Sequence, residues 1–214
     1  MKLPAFYPVL DADRVAAVPA AEALLEAGAR ILQFRHKSFL SRAAFEDAAR
    51  ISELCRRAGA LFVVNDRADI AALLGAALHL GQDDLTPADA LRILPAGNII
   101  GFSTHNREQL RAADAEPVDY LAIGPIFPTA SKQNPDPVVG LERLRALRPL
   151  TGKPLVAIGG ITRESASQVF EAGADSVAII GDLIAQPCTP ALLRARAEEW
   201  MALCSRWQKR HGTH

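Results

Sequence analysis

One face of a strand-like segment carries an amide and two cations. Within the run ILQFRHK, Gln33, Arg35 and Lys37 occupy every second position, and alternate residues of an extended chain share one face. Leu32 and Phe34 occupy the other face, which is expected to pack against an apolar layer. The polar face must therefore meet a polar partner.

The two cations of this face suit a phosphate or diphosphate. The guanidinium of Arg35 is a planar fork that matches phosphate oxygens, and Lys37 adds a point charge. An anionic ligand would remove the penalty for burying these charges without a partner. Ion pairing with protein carboxylates such as Asp66 is the alternative, and these residues alone do not decide between the two.

Oxygen donors lie at the ends of two further runs. Asn65 and Asp66 end one run and Asp84 follows another, with no cluster of His or Cys beside them. Hard oxygen ligands of this kind favour Mg²⁺ bridging the carboxylates and substrate phosphate. A diphosphate held by Arg35 and Lys37 while a metal neutralises its oxygens is a leaving group prepared to depart.

Glycine-containing turns end the last two runs and indicate a second anion site. Gly159 and Gly160 lie in AIGGI, and Gly181 lies in IIGDL. Glycines at strand ends let backbone N–H groups approach a phosphate, and barrel enzymes frequently bind one at this position. A pair of glycines can also mark only a tight turn.

A long connection follows the sixth run and is interpreted as a lid. The segment FPTASKQNPDPVVG is rich in proline and polar residues and is long for a strand-to-helix loop. We expect Lys132 to reach the diphosphate when the lid closes, and closure to exclude water from a reactive intermediate. A surface loop with a solvated Lys132 is the alternative.

Four further polar residues are given no catalytic role. His79 and His105 each fit a structural role as well as a catalytic one, so no proton transfer is assigned to either. Asp83 and Asp89 are expected to cap a helix or to lie at the surface.

The elements that must position these residues are eight short apolar runs alternating with helix-like stretches. The runs are AFYPVL, ILQFRHK, LFVVND, ALHLGQ, IIGFST, YLAIGPIF, PLVAIGG and SVAIIGDL. Eight β/α units in 214 residues predict an α/β fold with a single (β/α)₈ TIM barrel, and an open doubly wound sheet is the alternative. The candidate residues fall at strand ends, where the active face of such a barrel lies.

Helix spacing with start and stop signals supports the intervening stretches. Helical patterns occur at residues 15–27, 43–58, 87–94, 107–115, 141–147 and 164–172. Thr86 and Thr189, each followed by proline, are typical of helix starts. Gly28, Gly59 and Gly173 fall where helices should end.

Composition restricts the partners and the compartment. Lys plus Arg and Asp plus Glu both number 24, so no overall field favours nucleic acid or an anionic membrane. No signal peptide or bilayer-spanning run is evident, and Cys55, Cys188 and Cys204 lack metal-type spacing. These features predict a cytoplasmic protein whose cysteines are free, small apolar residues. One domain is predicted for residues 1–214, with a tail frayed after about Trp207.

Six motifs together resemble the thiamine phosphate synthase family along nearly the whole chain. They are QFRHK at 33–37, VNDR at 64–67, HLGQDD at 79–84, GFSTH at 101–105, GPIFPTASK at 124–132 and AIGGI at 157–161. The resemblance implies a Mg²⁺-dependent barrel enzyme that joins 4-amino-2-methyl-5-(diphosphomethyl)pyrimidine to 4-methyl-5-(2-phosphoethyl)thiazole, or to its carboxylated form, and releases diphosphate. It further implies that diphosphate leaves first and that the thiazole nitrogen attacks the resulting pyrimidine carbocation.

The resemblance also implies a role for each matching residue. The residues that would bind the pyrimidine diphosphate are Gln33, Arg35, Lys37, Asn65, Ser103 and Lys132, and among them Arg35, Lys37, Ser103 and Lys132 would be catalytic. The Mg²⁺ ligands would be Asp66 and Asp84. The residues that would hold the thiazole phosphate are Thr129, Ser131, Gly159, Gly160, Ile180 and Gly181.

The eighth-strand turn departs from the family pattern. Serine followed by alanine is usual there, whereas this chain has Gly181 and Asp182. A carboxylate close to a phosphate is repulsive unless it points outward, so the thiazole phosphate site is the assignment that this departure challenges.

Other functions are compatible with the same barrel. They are a thiazole tautomerase-like enzyme, a non-catalytic regulator that binds thiamine phosphates, and another phosphate-binding barrel enzyme. The complete set of diphosphate and metal residues favours the synthase. The expected partners are small-molecule substrates, and association of identical chains is left open.

Overall fold

The structure is a computed structural model that describes residues 2–131 and 136–211. The strands are β1 Phe6–Asp11, β2 Ile31–Arg35, β3 Leu61–Asn65, β4 Ala77–Leu80, β5 Ile100–Thr104, β6 Tyr120–Ile123, β7 Leu155–Ile158 and β8 Ser176–Ile179. The helices are α1 Ala17–Glu26, α2 Arg42–Ala58, α3 Ala68–Leu74, α4 Pro87–Ala90, α5 Arg107–Asp114, α6 Gly140–Leu147, α7 Ala166–Glu171 and α8 Pro190–His211.

The eight strands form one closed parallel barrel in sequence order. Closure is made by β1 and β8, where Phe6 is in register with Val177 and Tyr7 with Ala178. The predicted (β/α)₈ TIM barrel is therefore confirmed, and the open doubly wound sheet is wrong. The carboxyl ends of all eight strands meet at one end of the barrel, so the loops after them share that end.

Side chains divide between two apolar layers according to their position along each strand. Leu32 and Phe34 of β2 belong to the layer between the barrel and the helices. Ile31 belongs to the layer inside the barrel, together with Tyr7 and Tyr120. Because side chains alternate along a strand, residues 33 and 35 face inward like Ile31, as the sequence predicted.

Three helices differ most from the sequence prediction. Helix α3 was not predicted, because it begins at Ala68 without a side-chain cap and lacks the start signal that marked other helices. Helix α4 ends at Ala90 instead of residue 94, because the next residues form tighter turns, such as the bond from Ile93 N to the Ala90 oxygen. Helix α8 continues to His211, four residues beyond the point where we expected the tail to fray.

The predicted helix stops and the cysteine environments agree with the structure. Gly28, Gly59 and Gly173 all have positive φ, the left-handed conformation that ends helices. Cys55 and Cys204 are buried and Cys188 is half-buried, and all three thiols are free. No helix in the described part of the chain is long and apolar enough to cross a membrane.

Candidate active site

The barrel brings most of the predicted diphosphate and metal residues to one end. Gln33 and Arg35 lie on β2, Asn65 ends β3 and Ser103 lies on β5, while Lys37, Asp66 and Asp84 lie in the loops after β2, β3 and β4. Lys132, expected on the lid, lies outside the described residues. The placement of the others follows from the parallel strands, whose carboxyl ends are neighbours around the barrel.

Arg35 is paired with the carboxylate of Asp11, which was not among the predicted site residues. Its Nη1 lies 3.0 Å from Oδ2 of Asp11, the last residue of β1, and the Asp11 side chain is 3% exposed. Asp11 and Arg35 are opposite each other in the β1–β2 register. The signal was available in the alternation of Tyr7, Val9 and Asp11, but the apolar run had been ended at Leu10. A guanidinium has five N–H donors, so Arg35 retains donors for a phosphate.

Lys37 is ion-paired with Asp66 through Nζ and Oδ2. Ion pairing with Asp66 was the alternative to an anion site, and in this structure both cations of the β2 face do have carboxylate partners. Asp66 has φ 64°, a left-handed conformation that is uncommon for a residue with a side chain. Such strained residues cluster at functional sites, so the conformation favours a specific role for the Asp66 carboxylate.

Asp66 and Asp84 form a carboxylate pair whose chemistry fits a divalent cation. The pKa of Asp66 is raised to about 6, because burial and the neighbouring Asp84 carboxylate raise it more than Lys37 lowers it. Asp84 is held by the backbone N–H of Gly81, which donates to its Oδ2 at 2.7 Å. Two adjacent carboxylates require a shared proton or a cation between them. Mg²⁺ fits because it is commonly held by one or two carboxylates together with substrate phosphates.

Among the residues that the structure describes, only these two carboxylates would serve as protein ligands of the metal. Within residues 2–131 and 136–211, no three side chains of His, Cys, Asp and Glu are grouped closely enough to hold a metal. Such a sparse site would bind a cation weakly without a phosphate ligand.

Asn65 carries a buried amide donor that lacks a partner. Its Nδ2 is inaccessible to solvent and makes no hydrogen bond to any residue that the structure describes. Buried polar groups are nearly always hydrogen-bonded, so an unsatisfied donor at the end of β3 is a position where a ligand oxygen would be favourable.

A chain of hydrogen bonds crosses the inside of the barrel below the charged groups. Gln33 Nε2 donates to the Tyr7 hydroxyl at 2.9 Å, and the hydroxyls of Tyr7 and Tyr120 are 2.8 Å apart. His79 Nδ1 lies 3.0 Å from the Tyr120 hydroxyl, and its Nε2 lies 2.9 Å from Ser103 Oγ. Gln33 and Ser103 were predicted site residues and His79 was left open, whereas both tyrosines lie inside apolar runs and were not predicted.

Burial governs the protonation of this chain. It lowers the pKa of His79 to about 4 and raises that of Tyr7 to about 12. Burial also raises the pKa of Tyr120. All three groups are therefore neutral near pH 7, and each nitrogen or hydroxyl takes part as a hydrogen-bond donor or acceptor and not as a charge.

His105 links the barrel to the end of the lid segment. Its Nδ1 donates to the Gly124 carbonyl oxygen at 2.6 Å, and its Nε2 lies 3.5 Å from Oδ2 of Asp136. These contacts account for His105 as a structural residue beside the lid. Thr86 caps α4 by accepting from the Asp89 N–H at 3.2 Å, and its hydroxyl donates to the Asp89 carboxylate at 2.7 Å. Asp83 and Asp89 are both exposed, as expected for surface aspartates.

The glycines after β7 are required by the close approach of the lid segment. A Cβ on Gly160 would lie 2.4 Å from the Pro128 oxygen, and one on Gly159 would lie 2.5 Å from Pro125 Cβ. Both glycines have positive φ. Phe127 N donates to the Gly159 oxygen at 3.0 Å, which joins the two loops. The close contact between the two loops requires glycine at both positions, and it places their backbone beside the residues predicted for the thiazole phosphate.

The other predicted thiazole phosphate residues lie close to this turn. Thr129 Oγ1 accepts from the Ser131 N–H at 3.2 Å. A Cβ on Gly181 would lie 3.7 Å from Ser131 Oγ, so the β8 turn approaches the same loop. Ile180 begins a helical turn, because Ile184 N donates to its oxygen. A turn of this kind leaves its first N–H groups without a partner inside the turn.

Asp182 points away from this cluster into a contact of its own. Its Oδ2 accepts from Trp200 Nε1 at 2.8 Å and lies 3.0 Å from Arg163 Nε. Trp200 is fully buried in the layer between the barrel and α8. The repulsion that its sequence position suggested is therefore avoided by the outward direction of the side chain.

A closed barrel with charged side chains and glycine turns at the carboxyl ends of its strands belongs to the (β/α)₈ enzymes. A family model described as thiamine monophosphate synthase matches residues 6–183. The chain therefore belongs to the thiamine monophosphate synthase family.

Individual relatives agree with the family match. A thiamine-phosphate synthase of Koribacter versatilis is 47% identical over 211 residues, which cover 95% of this chain and 97% of the relative. A thiamine-phosphate synthase of Chlorobium phaeovibrioides is 41% identical over 200 residues, covering 91% and 95%. The solved thiamine phosphate pyrophosphorylase of Pyrococcus furiosus has a TM-score of 0.85 at 31% identity, covering 95% of this chain and 96% of that one.

These relatives make the chain a transferase of thiamine biosynthesis. The resemblance seen in the six motifs is thus confirmed. The names of the relatives favour the synthase over the tautomerase-like enzyme and the non-catalytic regulator.

Proposed function

We propose that the chain joins 4-amino-2-methyl-5-(diphosphomethyl)pyrimidine to 4-methyl-5-(2-phosphoethyl)thiazole, or to its carboxylated form, and releases diphosphate. The observation that carries this proposal is the meeting of two different anion-suited clusters at one end of the barrel. One consists of cations and carboxylates after β2 to β4, and the other of glycine turns and hydroxyls after β6 to β8. A reaction between a diphosphate and a phosphate requires two such clusters side by side.

Diphosphate binding would exchange partners within the first cluster. Lys37 is paired with Asp66 in the structure. With a cation held by Asp66, Lys37 would be free to bind a diphosphate oxygen, and both groups would keep a counter-charge. The free N–H groups of Arg35 and the unsatisfied amide of Asn65 provide further donors to the same ligand.

Gln33 would contact the pyrimidine ring. It lies two residues before Arg35 on the same face of β2 and is deeper in the barrel, with 5% of its surface exposed. A neutral amide presents a donor and an acceptor side by side, which suits the amino group and ring nitrogen of an aminopyrimidine.

Asp66 and Asp84 would hold Mg²⁺, which supplies charge neutralisation to the departing diphosphate. The protein groups around them bind and orient the same diphosphate. Charge that develops on the leaving oxygen is then met by Arg35, Lys37 and the Ser103 hydroxyl, which are positioned before the bond breaks.

The proposed reaction does not require a protein nucleophile. Loss of diphosphate leaves the pyrimidine methylene as a carbocation, and the thiazole nitrogen supplies the electron pair of the new bond. The second cluster would hold the thiazole through its phosphate, by backbone N–H groups near Gly160 and Gly181 and the hydroxyls of Thr129 and Ser131. A closed lid carrying Lys132 would exclude water, which is the competing nucleophile.

The test is formation of thiamine phosphate from the two substrates, with Mg²⁺ and with a chelator. We expect product that requires both substrates and the metal. Asp66→Asn should raise the Mg²⁺ concentration needed for half-maximal rate, while Asp83→Asn, the exposed neighbour of Asp84, serves as the matched control. Absence of product from folded protein that binds both substrates would overturn the proposal, and unchanged metal dependence in Asp66→Asn would remove Asp66 from the metal site.

A further inference from the structure

We infer that Tyr7, Tyr120 and His79 are positioning residues, whose hydrogen bonds couple recognition of the pyrimidine at Gln33 to recognition of the diphosphate at Ser103. This inference rests on the proposed function, in which Gln33 and Ser103 contact the two ends of one substrate. The two residues belong to β2 and β5, which are not neighbours in the barrel, so the coupling must pass through its interior.

The chain is continuous and shielded from water. Its successive contacts are 2.9, 2.8, 3.0 and 2.9 Å from Gln33 to Ser103. Tyr7 and Tyr120 are 1% and 0% exposed, and the rings of His79 and Tyr120 are stacked with centroids 5.5 Å apart. Without these bonds the buried hydroxyls would lack compensation for their lost hydration, so each member depends on its neighbours.

The interior of the barrel is shaped to accept this arrangement. Gly101 lies on β5 two residues before Ser103, and a Cβ there would fall 2.0 Å from the Tyr120 ring. Any larger residue would displace the ring that joins Tyr7 to His79. Gly101 therefore provides the space for the middle of the chain, and its φ is not the reason for glycine at this position.

The direction of the first hydrogen bond, from Gln33, determines the direction of every other bond in the series. Gln33 donates to Tyr7, which leaves the Tyr7 hydrogen for the Tyr120 oxygen and the Tyr120 hydrogen for His79 Nδ1. Neutral His79 then carries its hydrogen on Nε2 and donates to Ser103 Oγ. The hydroxyl hydrogen of Ser103 remains available, directed at an acceptor outside the chain.

The hydrogen bonds can all donate toward Ser103 or all donate toward Gln33, and a bound anion favours the first of these two senses. In the reverse sense Ser103 donates to His79, each tyrosine donates toward β2, and Tyr7 donates to the Gln33 carbonyl oxygen, with the amide turned over. Every protein group is satisfied in both senses. A diphosphate oxygen accepts but cannot donate, so it favours the sense in which Ser103 is free to donate. Gln33 then keeps Nε2 on Tyr7 and presents Oε1 to the amino group of the pyrimidine.

The consequence is a measurable cooperation between two fragments of the substrate. Inorganic diphosphate should tighten the binding of 4-amino-5-hydroxymethyl-2-methylpyrimidine, and the alcohol should tighten diphosphate binding by the same factor. Because both senses satisfy the protein groups, each is populated to about one half without ligand, and a fragment that selects one sense should tighten the binding of the other fragment by about twofold.

The experiment is calorimetric titration of the whole protein with the alcohol, with and without inorganic diphosphate and Mg²⁺. Tyr120→Phe removes one hydroxyl from the chain and keeps the ring. Thr104→Val is the matched control, because its buried hydroxyl donates at 2.8 Å to the Ala122 oxygen outside the chain. We expect the cooperation in the wild type and Thr104→Val and its loss in Tyr120→Phe. Tyr7→Phe repeats the test from the other side if Tyr120→Phe does not fold.

A purely structural role would produce a different pattern. Tyr120→Phe would then weaken the separate affinities but leave the cooperation between the fragments unchanged, and that result would overturn the inference. Cooperation lost equally in Thr104→Val would overturn it as well. If the wild type formed no thiamine phosphate and bound neither fragment, the proposed function itself would fail. This outcome is distinct from failure of the coupling, because it is seen in the wild type without any variant.

Discussion

The two clusters of the candidate site are built from different chemical groups. The first, at the ends of β2 to β4, consists of charged side chains held in ion pairs, such as Arg35 with Asp11 and Lys37 with Asp66. The second, at the ends of β6 to β8, consists mainly of glycine backbone fitted against the lid segment. The first is constrained by charge and the second by steric contact.

The two clusters are also kept in place differently when no ligand is bound. Cations that await a diphosphate need counter-charges within the folded chain, so the site contains more carboxylates than Mg²⁺ alone would require. Backbone N–H groups carry no net charge and need only a fixed loop. Substitutions should therefore damage the first cluster through charge and the second through geometry.

The largest effect is expected for Arg35→Ala. Loss of the guanidinium should lower kcat/KM for the pyrimidine diphosphate by about 100- to 1,000-fold, as for other preorganised groups that meet developing charge. It should also lower the free energy of unfolding by about 3 kcal/mol, because Asp11 is left buried without its partner. Denaturant unfolding and steady-state kinetics would measure both effects.

The paired substitution separates the two roles of Arg35. Arg35→Ala combined with Asp11→Ala should recover stability but not activity. Recovery of activity in the double variant would show that Arg35 only neutralises Asp11, and the first cluster would then lose its main phosphate donor.

Gly160→Ala tests the steric half of the comparison. The added methyl would meet the Pro128 oxygen, and φ of 64° is unfavourable for alanine, so the loops must separate. We expect KM for the thiazole phosphate to rise by about 10- to 100-fold, because displacement of binding groups by about 1 Å has effects of this size. Inorganic diphosphate should bind as in the wild type, and titration calorimetry would measure it.

Gly152→Ala is the matched control for that substitution. A Cβ at Gly152, in the loop before β7, would have no atom within 4 Å. Equal losses of diphosphate and thiazole phosphate affinity in Gly160→Ala would mean that the two clusters are not independent.

A pH effect should be confined to the first cluster. The pKa of Asp66 is raised to about 6 in the folded chain, so the carboxylate is mainly protonated at pH 5 and ionised at pH 7. Mg²⁺ binds only the ionised form, and it should raise Tm at pH 7 and have little effect at pH 5. In Asp66→Asn the difference between the two pH values should disappear. A Tm shift of the same size at both pH values in the wild type would contradict the assignment.

Without metal, the sign of the Asp66 contribution is opposite to that of an ordinary paired carboxylate. Its pKa is higher in the folded than in the unfolded chain, so the folded chain holds the proton more tightly. The contribution to stability is complete below about pH 4 and is lost as the pH rises through 6. Comparison of the wild type with Asp66→Asn across this range isolates it from the other carboxylates.

The sequence predicted the barrel because eight short apolar runs alternate with helical stretches, but closure itself depends on the pairing of β1 with β8, which the sequence did not decide. It also predicted the inward face of Gln33 and Arg35, since alternation is a local property of a strand. Tyr7 and Tyr120 were missed because their partners lie on other strands, and contacts across the barrel interior are not a local property. Asp11 was missed because the first apolar run had been ended at Leu10, although alternation along β1 places it on the inward face.

Asp182 shows how the direction of a side chain escapes sequence analysis. Its position beside Gly181 indicated repulsion of a phosphate, but its carboxylate turns to Trp200 and Arg163. We therefore expect Asp182→Ser to leave thiazole phosphate affinity unchanged and to lower the free energy of unfolding by about 1–3 kcal/mol, because the buried Trp200 N–H loses its acceptor. The double variant Trp200→Phe with Asp182→Ser should lose less free energy of unfolding than the two single variants lose together. A clear fall in thiazole phosphate affinity for Asp182→Ser at full stability would mean that Asp182 belongs to the second cluster after all.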